Sequence, residues 1–226
     1  MFLSIFIAEC FSNPFDTIKV RMQTHPKEYS NTIQAFSKVY KEEKLMGLYK
    51  NLPHALLRQM ILTTYSMTAY KYAKQHFENI SVSDKIWLGG FVGITGVFIS
   101  HPVDMIKTRI QANACRNVPK TFLDFRKGMV WSMSRSFVVA SLDIGLYDGV
   151  YSWYPNTFFC GVVVGCISTV LSFPFDFFKT RRMIPKEDVE CLVKIKDVYR
   201  GVAPAIFRRI IWLTTYYSSV KFLDKS

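Results

Sequence analysis

Residues 14–23 read Pro-Phe-Asp-Thr-Ile-Lys-Val-Arg-Met-Gln, and this stretch decides the fold because the chain repeats it twice. The second copy, at 102–111, reads Pro-Val-Asp-Met-Ile-Lys-Thr-Arg-Ile-Gln, and the third, at 174–183, reads Pro-Phe-Asp-Phe-Phe-Lys-Thr-Arg-Arg-Met. Each copy has Asp two, Lys five and Arg seven residues after the Pro, and a Ser two residues before it. Three matching copies, 88 and then 72 residues apart, indicate an internal repeat of three units.

Each proline of the repeat follows an apolar run, which predicts a membrane helix that bends where the proline removes a backbone hydrogen bond. The kinks are expected at Pro14, Pro102 and Pro174.

The Asp and Lys of each copy are three residues apart and therefore share one face of the helix. A charged side chain costs about 2.5–3.5 kcal/mol at the centre of a bilayer, so these side chains must face one another or water. We expect the Asp of one repeat to pair with the Lys of another, so that three ion pairs close one end of a central cavity. The expected pairs are Asp16 with Lys107, Asp104 with Lys179, and Asp176 with Lys19.

The triplicate pattern resembles the signature of the mitochondrial carrier family of solute transporters, and the resemblance extends over nearly the whole chain. It implies an all-α membrane protein in which six transmembrane helices form a threefold pseudo-symmetric bundle of three two-helix repeats. The expected repeats are 1–80, 81–152 and 153–226, with helices at about 2–23, 52–77, 86–111, 129–151, 156–183 and 203–223. The resemblance also implies a monomeric, multi-pass protein of the mitochondrial inner membrane. The first copy, followed by Thr24, is most similar to carnitine/acylcarnitine and ornithine carriers.

The first repeat differs from the other two in its helix and in its loop. Only thirteen residues precede Pro14, whereas about 20 are needed to cross the hydrocarbon core. We therefore expect a shortened first span, or a truncated or alternative product. The loop after the first motif has room for a surface helix at about 30–44, whereas the other two loops are about ten residues shorter and have room for a turn or a shortened helix.

Composition narrows the class of protein further. The chain has 226 residues, of which 50% are hydrophobic and 15% aromatic, and its net charge is +12. The basic residues recur with the repeat and form no concentrated basic helix, so anionic lipid or an anionic solute is favoured over nucleic acid. The five cysteines form no Cys-x-x-Cys pair and the four histidines have no metal spacing, so we expect free thiols, no metal and no cofactor.

Small residues mark the first helix of the second and third repeats, and a second basic element follows each of the three motifs. Glycines three or four residues apart, such as Gly161 and Gly165, favour the close approach of membrane helices. After each motif comes an element that resembles the family's cardiolipin-binding anchor, where the start of a helix holds a phosphate. The implied lipid-binding residues are Lys50, Lys127, Gly128, Arg200 and Gly201, with Asn51 in place of the first glycine and Arg126 in place of an aromatic residue.

An arginine stands seven residues after the last residue of each anchor, which is Asn51, Gly128 or Gly201. These arginines are Arg58, Arg135 and Arg208. In the family these positions are substrate contacts, and the guanidinium fork suits both carboxylate and phosphate. A set of three arginines resembles the basic substrate contacts of dicarboxylate and oxoacid carriers. Next to them, Ser136 resembles the polar partner of oxoacid carriers, and Arg209 adds charge that suits a larger anion.

Two acids and two glutamines complete the expected site. Helical spacing turns Glu9 and Asp143 inward, where each either neutralises an arginine or receives a substrate amine. Gln23 and Gln111 occupy positions where the family braces the ion pairs, and Met183 replaces the third, so two braces are expected.

The outer ends of the even-numbered helices do not provide a full ring of opposite charges. The relevant positions hold Lys71 with Lys74, Asp148 with Tyr151, and Lys221 with Asp224. We therefore expect a weak outer gate.

These features predict a carrier that exchanges a small anionic metabolite by alternating access, with an oxoacid or dicarboxylate and a nucleotide both open as substrates. An amino acid, a carnitine-like solute or an S-adenosylmethionine-like solute is an alternative. A carrier-fold scaffold that no longer transports is another. We expect no enzyme activity, because no nucleophile–base pair, metal site or phosphate-cradling glycine loop is recognisable. A soluble nucleic-acid-binding protein would leave the proline-containing apolar helices unexplained.

Overall fold

The computed structural model describes residues 2–26, 28–29, 31–76, 82–113, 126–153, 156–185 and 198–223. Seven α-helices lie within these ranges: α1 (Phe2–Thr24), α2 (Thr32–Tyr49), α3 (Leu52–His76), α4 (Val82–Gln111), α5 (Met129–Trp153), α6 (Thr157–Met183) and α7 (Val202–Leu223). The predicted all-α fold is confirmed over the described residues, which contain no β-strand.

Six of the helices pack side by side in a closed ring. Helix α1 contacts α3, α3 contacts α4, α4 contacts α5, α5 contacts α6, α6 contacts α7, and α7 returns to α1. The three helices that carry the repeated motif, α1, α4 and α6, also contact one another. The ring therefore brings the three copies of the motif together at its centre.

Each motif proline lies inside its helix and does not end it. Helix α1 runs through Pro14, α4 through Pro102 and α6 through Pro174. Helices in membrane proteins tolerate interior prolines because neighbouring groups compensate for the lost hydrogen bond. The bend expected at each proline stays a prediction.

The distribution of polar and apolar side chains is inverted relative to a soluble protein. Charged residues of the motifs, such as Asp104 and Lys107, are buried, whereas large apolar residues such as Phe91, Phe98 and Leu171 are more than half exposed. Two segments, Trp87–Gln111 and Phe158–Met183, are long and apolar enough to cross a membrane, with mean hydropathies of 1.2 and 2.0. This arrangement suits helices with lipid outside and polar groups inside.

Helix α2 is the surface helix that the first loop predicts. It packs against α1 through a cluster of buried residues: Ile18, Met22, Tyr29, Ala35, Val39 and Leu48. Near the end of α2 the backbone at Lys44 has φ 56° and ψ −155°. A residue with a Cβ is strained in this region of φ/ψ space, whereas glycine adopts it readily.

Replacing Lys44 with glycine is expected to stabilise the protein. The strain at such a residue is worth about 1–3 kcal/mol, and the added flexibility of glycine in the unfolded chain offsets about 0.5–1 kcal/mol of it. The free energy of unfolding of Lys44→Gly should therefore rise by about 1 kcal/mol. Thermal unfolding of the detergent-purified protein measures this change.

The matched control is Lys41→Gly, because Lys41 is an exposed lysine of the same helix and no unusual backbone angles are found there. It should lower the stability by about 0.5–1 kcal/mol. A loss of stability in both variants would contradict the assignment of strain to Lys44.

Candidate substrate site and gate

Three lysine–aspartate pairs join the motif helices at the centre of the ring. Lys107 Nζ of α4 lies 2.6 Å from Asp16 Oδ2 of α1. Lys19 of α1 contacts Asp176 of α6. Lys179 of α6 contacts Asp104 of α4, and this contact closes the circle.

The second carboxylate oxygen of each aspartate faces an arginine of one of the other three helices of the ring, α3, α5 and α7. Arg58 Nε of α3 lies 2.8 Å from Asp104 Oδ1, Arg135 Nε of α5 lies 2.9 Å from Asp176 Oδ1, and Arg208 Nε of α7 lies 3.2 Å from Asp16 Oδ1. All three Nε atoms are buried and make no hydrogen bond, so these contacts are ion pairs without directed donation. Each cluster, defined here as one aspartate with its lysine and its arginine, therefore takes one residue from each of the three repeats.

The sequence predicted that the three arginines contact substrate, with Glu9 and Asp143 as acids that could neutralise an arginine each, and their contact with the motif aspartates is an additional feature of the structure. Helical spacing turns Arg58, Arg135 and Arg208 toward the axis of the ring. It gives no information about the depth that a long guanidinium side chain reaches along that axis.

Two acids stand near the arginines of α7. Glu9 is almost completely buried, and its Oε1 lies 3.5 Å from Arg208 Nη2. Glu9 Oε2 has no hydrogen-bond partner. Arg209 Nη2 donates a hydrogen bond of 2.9 Å to Asp143 Oδ2. Both acids therefore face an arginine in the structure.

Ser136 has a packing contact of its own. Its hydroxyl donates a hydrogen bond of 3.1 Å to the carbonyl oxygen of Gly93 on α4, although the residue also lines the central cavity. The hydroxyl therefore holds α5 against α4 at the level of the cavity.

The clusters surround a cavity of about 240 Å³. Among the described residues, seven basic side chains line it, namely Lys19, Arg58, Lys107, Arg135, Lys179, Arg208 and Arg209. Four acidic side chains line it, namely Glu9, Asp16, Asp104 and Asp176. The lining thus has three more positive than negative groups, and Asp143, the partner of Arg209, lowers this excess to two. The cavity is electrostatically suited to an anion.

Comparison with known proteins agrees with this architecture. A family model described as "Mitochondrial carrier protein" matches residues 2–81. Mitochondrial uncoupling protein 3 of Arabidopsis thaliana is 26% identical over 96% of this chain and 89% of its own length. The mitochondrial 2-oxodicarboxylate carrier of Pongo abelii is 23% identical over 86% of this chain and 76% of its own length. The mitochondrial dicarboxylate carrier of Caenorhabditis elegans is 24% identical over 78% of this chain and 72% of its own length.

The chain is therefore similar to mitochondrial carriers over most of its length. This similarity supports a transporter that is a multi-pass protein of the mitochondrial inner membrane. The resemblance drawn from the three motifs is confirmed.

A second ring of contacts lies at the ends of the motif helices. Arg21 Nε donates to the carbonyl oxygen of Gln111 (3.2 Å), Arg109 Nε donates to that of Met183 (2.9 Å), and Arg181 Nη1 donates to that of Gln23 (3.4 Å). Carbonyl groups at the end of a helix have no partner within the helix, so each arginine satisfies one on a neighbouring repeat. The sequence analysis missed this ring, although Arg seven residues after every Pro was the available signal.

One glutamine brace forms instead of the expected two. Gln111 Nε2 donates a hydrogen bond of 2.9 Å to Asp16 Oδ2, beside the contact with Lys107. The side chain of Gln23 is fully buried, and neither its nitrogen nor its oxygen makes a hydrogen bond. Equal spacing places both glutamines on the same helical face but does not determine their side-chain torsions.

The anchors that were expected to bind lipid differ between repeats. Gly128 (φ 77°) and Gly201 (φ 86°) precede α5 and α7, and a Cβ there would lie 3.2 Å from the carbonyl oxygens of Lys179 and Lys19. Asn51 is instead buried, and its Nδ2 donates to Asn13 Oδ1 (2.8 Å).

The basic residues of these anchors have contacts within the protein. Lys50 Nζ donates to Asn113 Oδ1 (3.3 Å), and Arg200 donates to the carbonyl oxygen of Pro26. Lys127 stands between Arg126 and Gly128 in the turn before α5. Cardiolipin binding by these residues stays a prediction.

The expected weak outer gate falls largely outside the described side chains. Of its six residues, only Tyr151 has a described side chain, and this side chain is exposed. The outer gate stays a prediction.

The two glutamines should respond differently to substitution by methionine, the residue that the third motif has at this position. Gln111→Met removes a buried hydrogen bond to a charged group, worth about 1.5–3 kcal/mol, and should lower the free energy of unfolding by that amount. Gln23→Met removes two buried polar atoms that have no partner and should leave stability unchanged or raise it. Thermal unfolding in detergent compares the variants, and equal losses would contradict the single brace.

The contact between Arg21 and Glu43 of α2 predicts a dependence on pH. Arg21 Nη1 lies 2.7 Å from Glu43 Oε1, and this hydrogen bond lowers the pKa of the Glu43 carboxyl below its ordinary value of 4.5. A lowered pKa in the folded state contributes stability that is present above the unfolded pKa and is lost as the pH falls. Glu43→Gln should therefore melt at a lower temperature than wild type at pH 7, and the difference should shrink below about pH 4.5.

The control for this prediction is Glu42→Gln, because Glu42 is the neighbouring acid and is half exposed, with Lys38 at 4.0 Å. Its melting temperature should equal that of wild type over the same pH range. A constant deficit of Glu43→Gln at every pH would show that the carboxylate charge is not the cause.

Proposed function

We propose that this carrier exchanges small dianions of the dicarboxylate or 2-oxodicarboxylate class across the membrane by alternating access. The observation that carries the proposal is the charge balance of the central cavity. With Asp143 counted, two positive charges of the lining have no negative counterpart. A substrate with two carboxylates balances them.

The size of the cavity supports a short dianion over a nucleotide. Its volume of about 240 Å³ lies below the roughly 300–1,000 Å³ of pockets that hold drug-sized ligands. Two of the relatives are named as carriers of dicarboxylates or 2-oxodicarboxylates. Arginine binds a carboxylate through two parallel N–H groups, so Arg58, Arg135 and Arg208 are suitable partners for both ends of such a molecule.

The same arginines couple the substrate to the gate. In the structure they neutralise the aspartates of the gate, and no directed hydrogen bond holds them there. A substrate carboxylate that takes an arginine leaves the aspartate with its lysine alone, which weakens one link between the repeats. Opening without substrate would separate buried charges at high cost. The carrier therefore opens when a dianion is bound, and exchange is favoured over uniport.

The finer architecture is part of the proposal. The six helices of the ring span the membrane as a threefold pseudo-symmetric bundle, with repeats at 1–80, 81–152 and 153–226. The protein works as a monomer with bound cardiolipin, and it transports its substrate without a chemical reaction. The closed ring of helix contacts and the clusters drawn from all three repeats support this arrangement.

One observation supports a second candidate, an amino-acid-like solute. Glu9 Oε2 is buried without a hydrogen-bond partner, and its other oxygen faces Arg208. A solute with an ammonium and a carboxylate group would satisfy Glu9 and Arg208 together.

Exchange across liposomes tests the proposed function. The purified carrier is reconstituted with internal malate or 2-oxoglutarate, and the uptake of the same labelled dianion is measured. We expect uptake that requires internal dianion, and a loss of about tenfold or more in Arg135→Ala, because a hydrogen bond to a charged group is worth about 1.5–3 kcal/mol and 1.4 kcal/mol is tenfold.

The matched control is Arg182→Ala, because Arg182 is an exposed arginine at the end of α6 and does not line the cavity. It should exchange at the wild-type rate. Faster exchange of aspartate or carnitine than of either dianion would favour the amino-acid-like candidate. No exchange of any of these solutes would overturn the carrier function and favour a scaffold.

A further inference from the structure

One cation of the cavity is independent of the gate. Six of the seven basic residues of the lining contact a gate aspartate. The seventh, Arg209, donates instead to Asp143, and neither residue belongs to a motif or to one of the three clusters. Arg209 can therefore change its partner while the gate contacts stay in place.

The contact between Arg209 and Asp143 crosses the inner face of α6. Arg209 belongs to α7 and Asp143 to α5, and α6 lies between these two helices in the ring. At the crossing point α6 has Gly165, where a Cβ would lie 2.8 Å from Arg209 Nε and 3.3 Å from Arg209 Cγ. The glycine that the sequence analysis assigned to helix packing thus makes room for an arginine.

The pair is also more accessible than the three cluster arginines. The side chains of Arg209 and Asp143 are both 33% exposed, whereas those of Arg58, Arg135 and Arg208 are 15–27% exposed. Asp143 Oδ1 has no hydrogen-bond partner, so Arg209 satisfies only one of its two oxygens. An entering solute can therefore reach this pair more easily than it can reach the gate clusters.

We infer that Arg209 is the capture site for one carboxylate of the substrate, and that Asp143 is an internal counter-ion that occupies Arg209 until the substrate displaces it. The inference rests on the proposed dianion exchange and adds an order of binding to it. The first carboxylate replaces Asp143 on Arg209 and leaves the gate intact. The second then competes with the gate aspartates for Arg58, Arg135 and Arg208, which weakens the gate.

This order separates the kinetic roles of the two groups of arginines. Arg209 and Asp143 set the affinity of capture and therefore KM, whereas the three cluster arginines set the rate at which the gate opens and therefore kcat. Asp143→Asn should lower KM for the dianion about three- to tenfold, because the competing carboxylate is lost. Arg209→Ala should raise KM about tenfold or more, with kcat within about threefold of wild type.

Two further variants exclude a purely structural role. Gly165→Ala keeps every charge but displaces Arg209, and it should raise KM in the same direction as Arg209→Ala. In the double variant Asp143→Asn, Arg209→Ala, the asparagine should bring no gain over Arg209→Ala alone, because Asp143 acts only through Arg209. Arg182→Ala again serves as the control with wild-type KM, and the melting temperature of each variant is measured in parallel.

The experiment measures the exchange of 2-oxoglutarate in liposomes over a range of external concentrations. A lower KM in Asp143→Asn that disappears in the double variant supports the inference. Wild-type KM in both Asp143→Asn and Arg209→Ala would overturn the inference, and so would an equal fall of kcat in Arg209→Ala and Arg135→Ala. In either case, dianion exchange by the wild type would still support the proposed function. A wild-type protein without dianion exchange would overturn both.

Discussion

The structure depends on three aspartates, each of which forms ion pairs with two basic side chains from the other two repeats. Each gate carboxylate has a lysine on one oxygen and an arginine near the other. Because the three residues of a cluster come from three different repeats, no pair of repeats can move apart without breaking a cluster. Apolar contacts between helices are non-directional and do not distinguish an open from a closed end in this way. The closed end of the cavity is therefore held chiefly by charge.

Removing one partner from a gate made of buried charges is costly, because an uncompensated charge is then left in a low-dielectric interior. This property suits a transporter, because a charged solute can supply or remove a partner. The arginines are attached less firmly than the lysines, since their Nε atoms lie near the aspartates without a hydrogen bond. They are also more exposed than the aspartates that they contact. In the proposed exchange, the solute competes for the weaker half of each cluster.

The three repeats are alike at the gate and different around it. The ring formed by Arg21, Arg109 and Arg181 occurs in every repeat. In contrast, the glutamine brace forms only at Asp16, and among the described residues a surface helix is found only in the first repeat. Symmetry is therefore kept in the charged clusters and in the arginine ring, and it is lost in the glutamine brace and in the surface helix.

The sequence by itself predicted the helical fold, the resemblance to mitochondrial carriers and the partners of the motif lysines, because spacings of three and seven residues specify which side of a helix a group faces. It also predicted an inward position for the arginines, Glu9 and Asp143, and of these Asp143 is not among the residues that line the cavity. The tertiary structure alone decided how far each long side chain reaches. It showed that Arg58, Arg135 and Arg208 contact the gate aspartates, that Gln23 makes no brace, and that Gly165 receives Arg209. These outcomes depend on side-chain torsions and on the depth of neighbouring helices, which helical spacing does not encode.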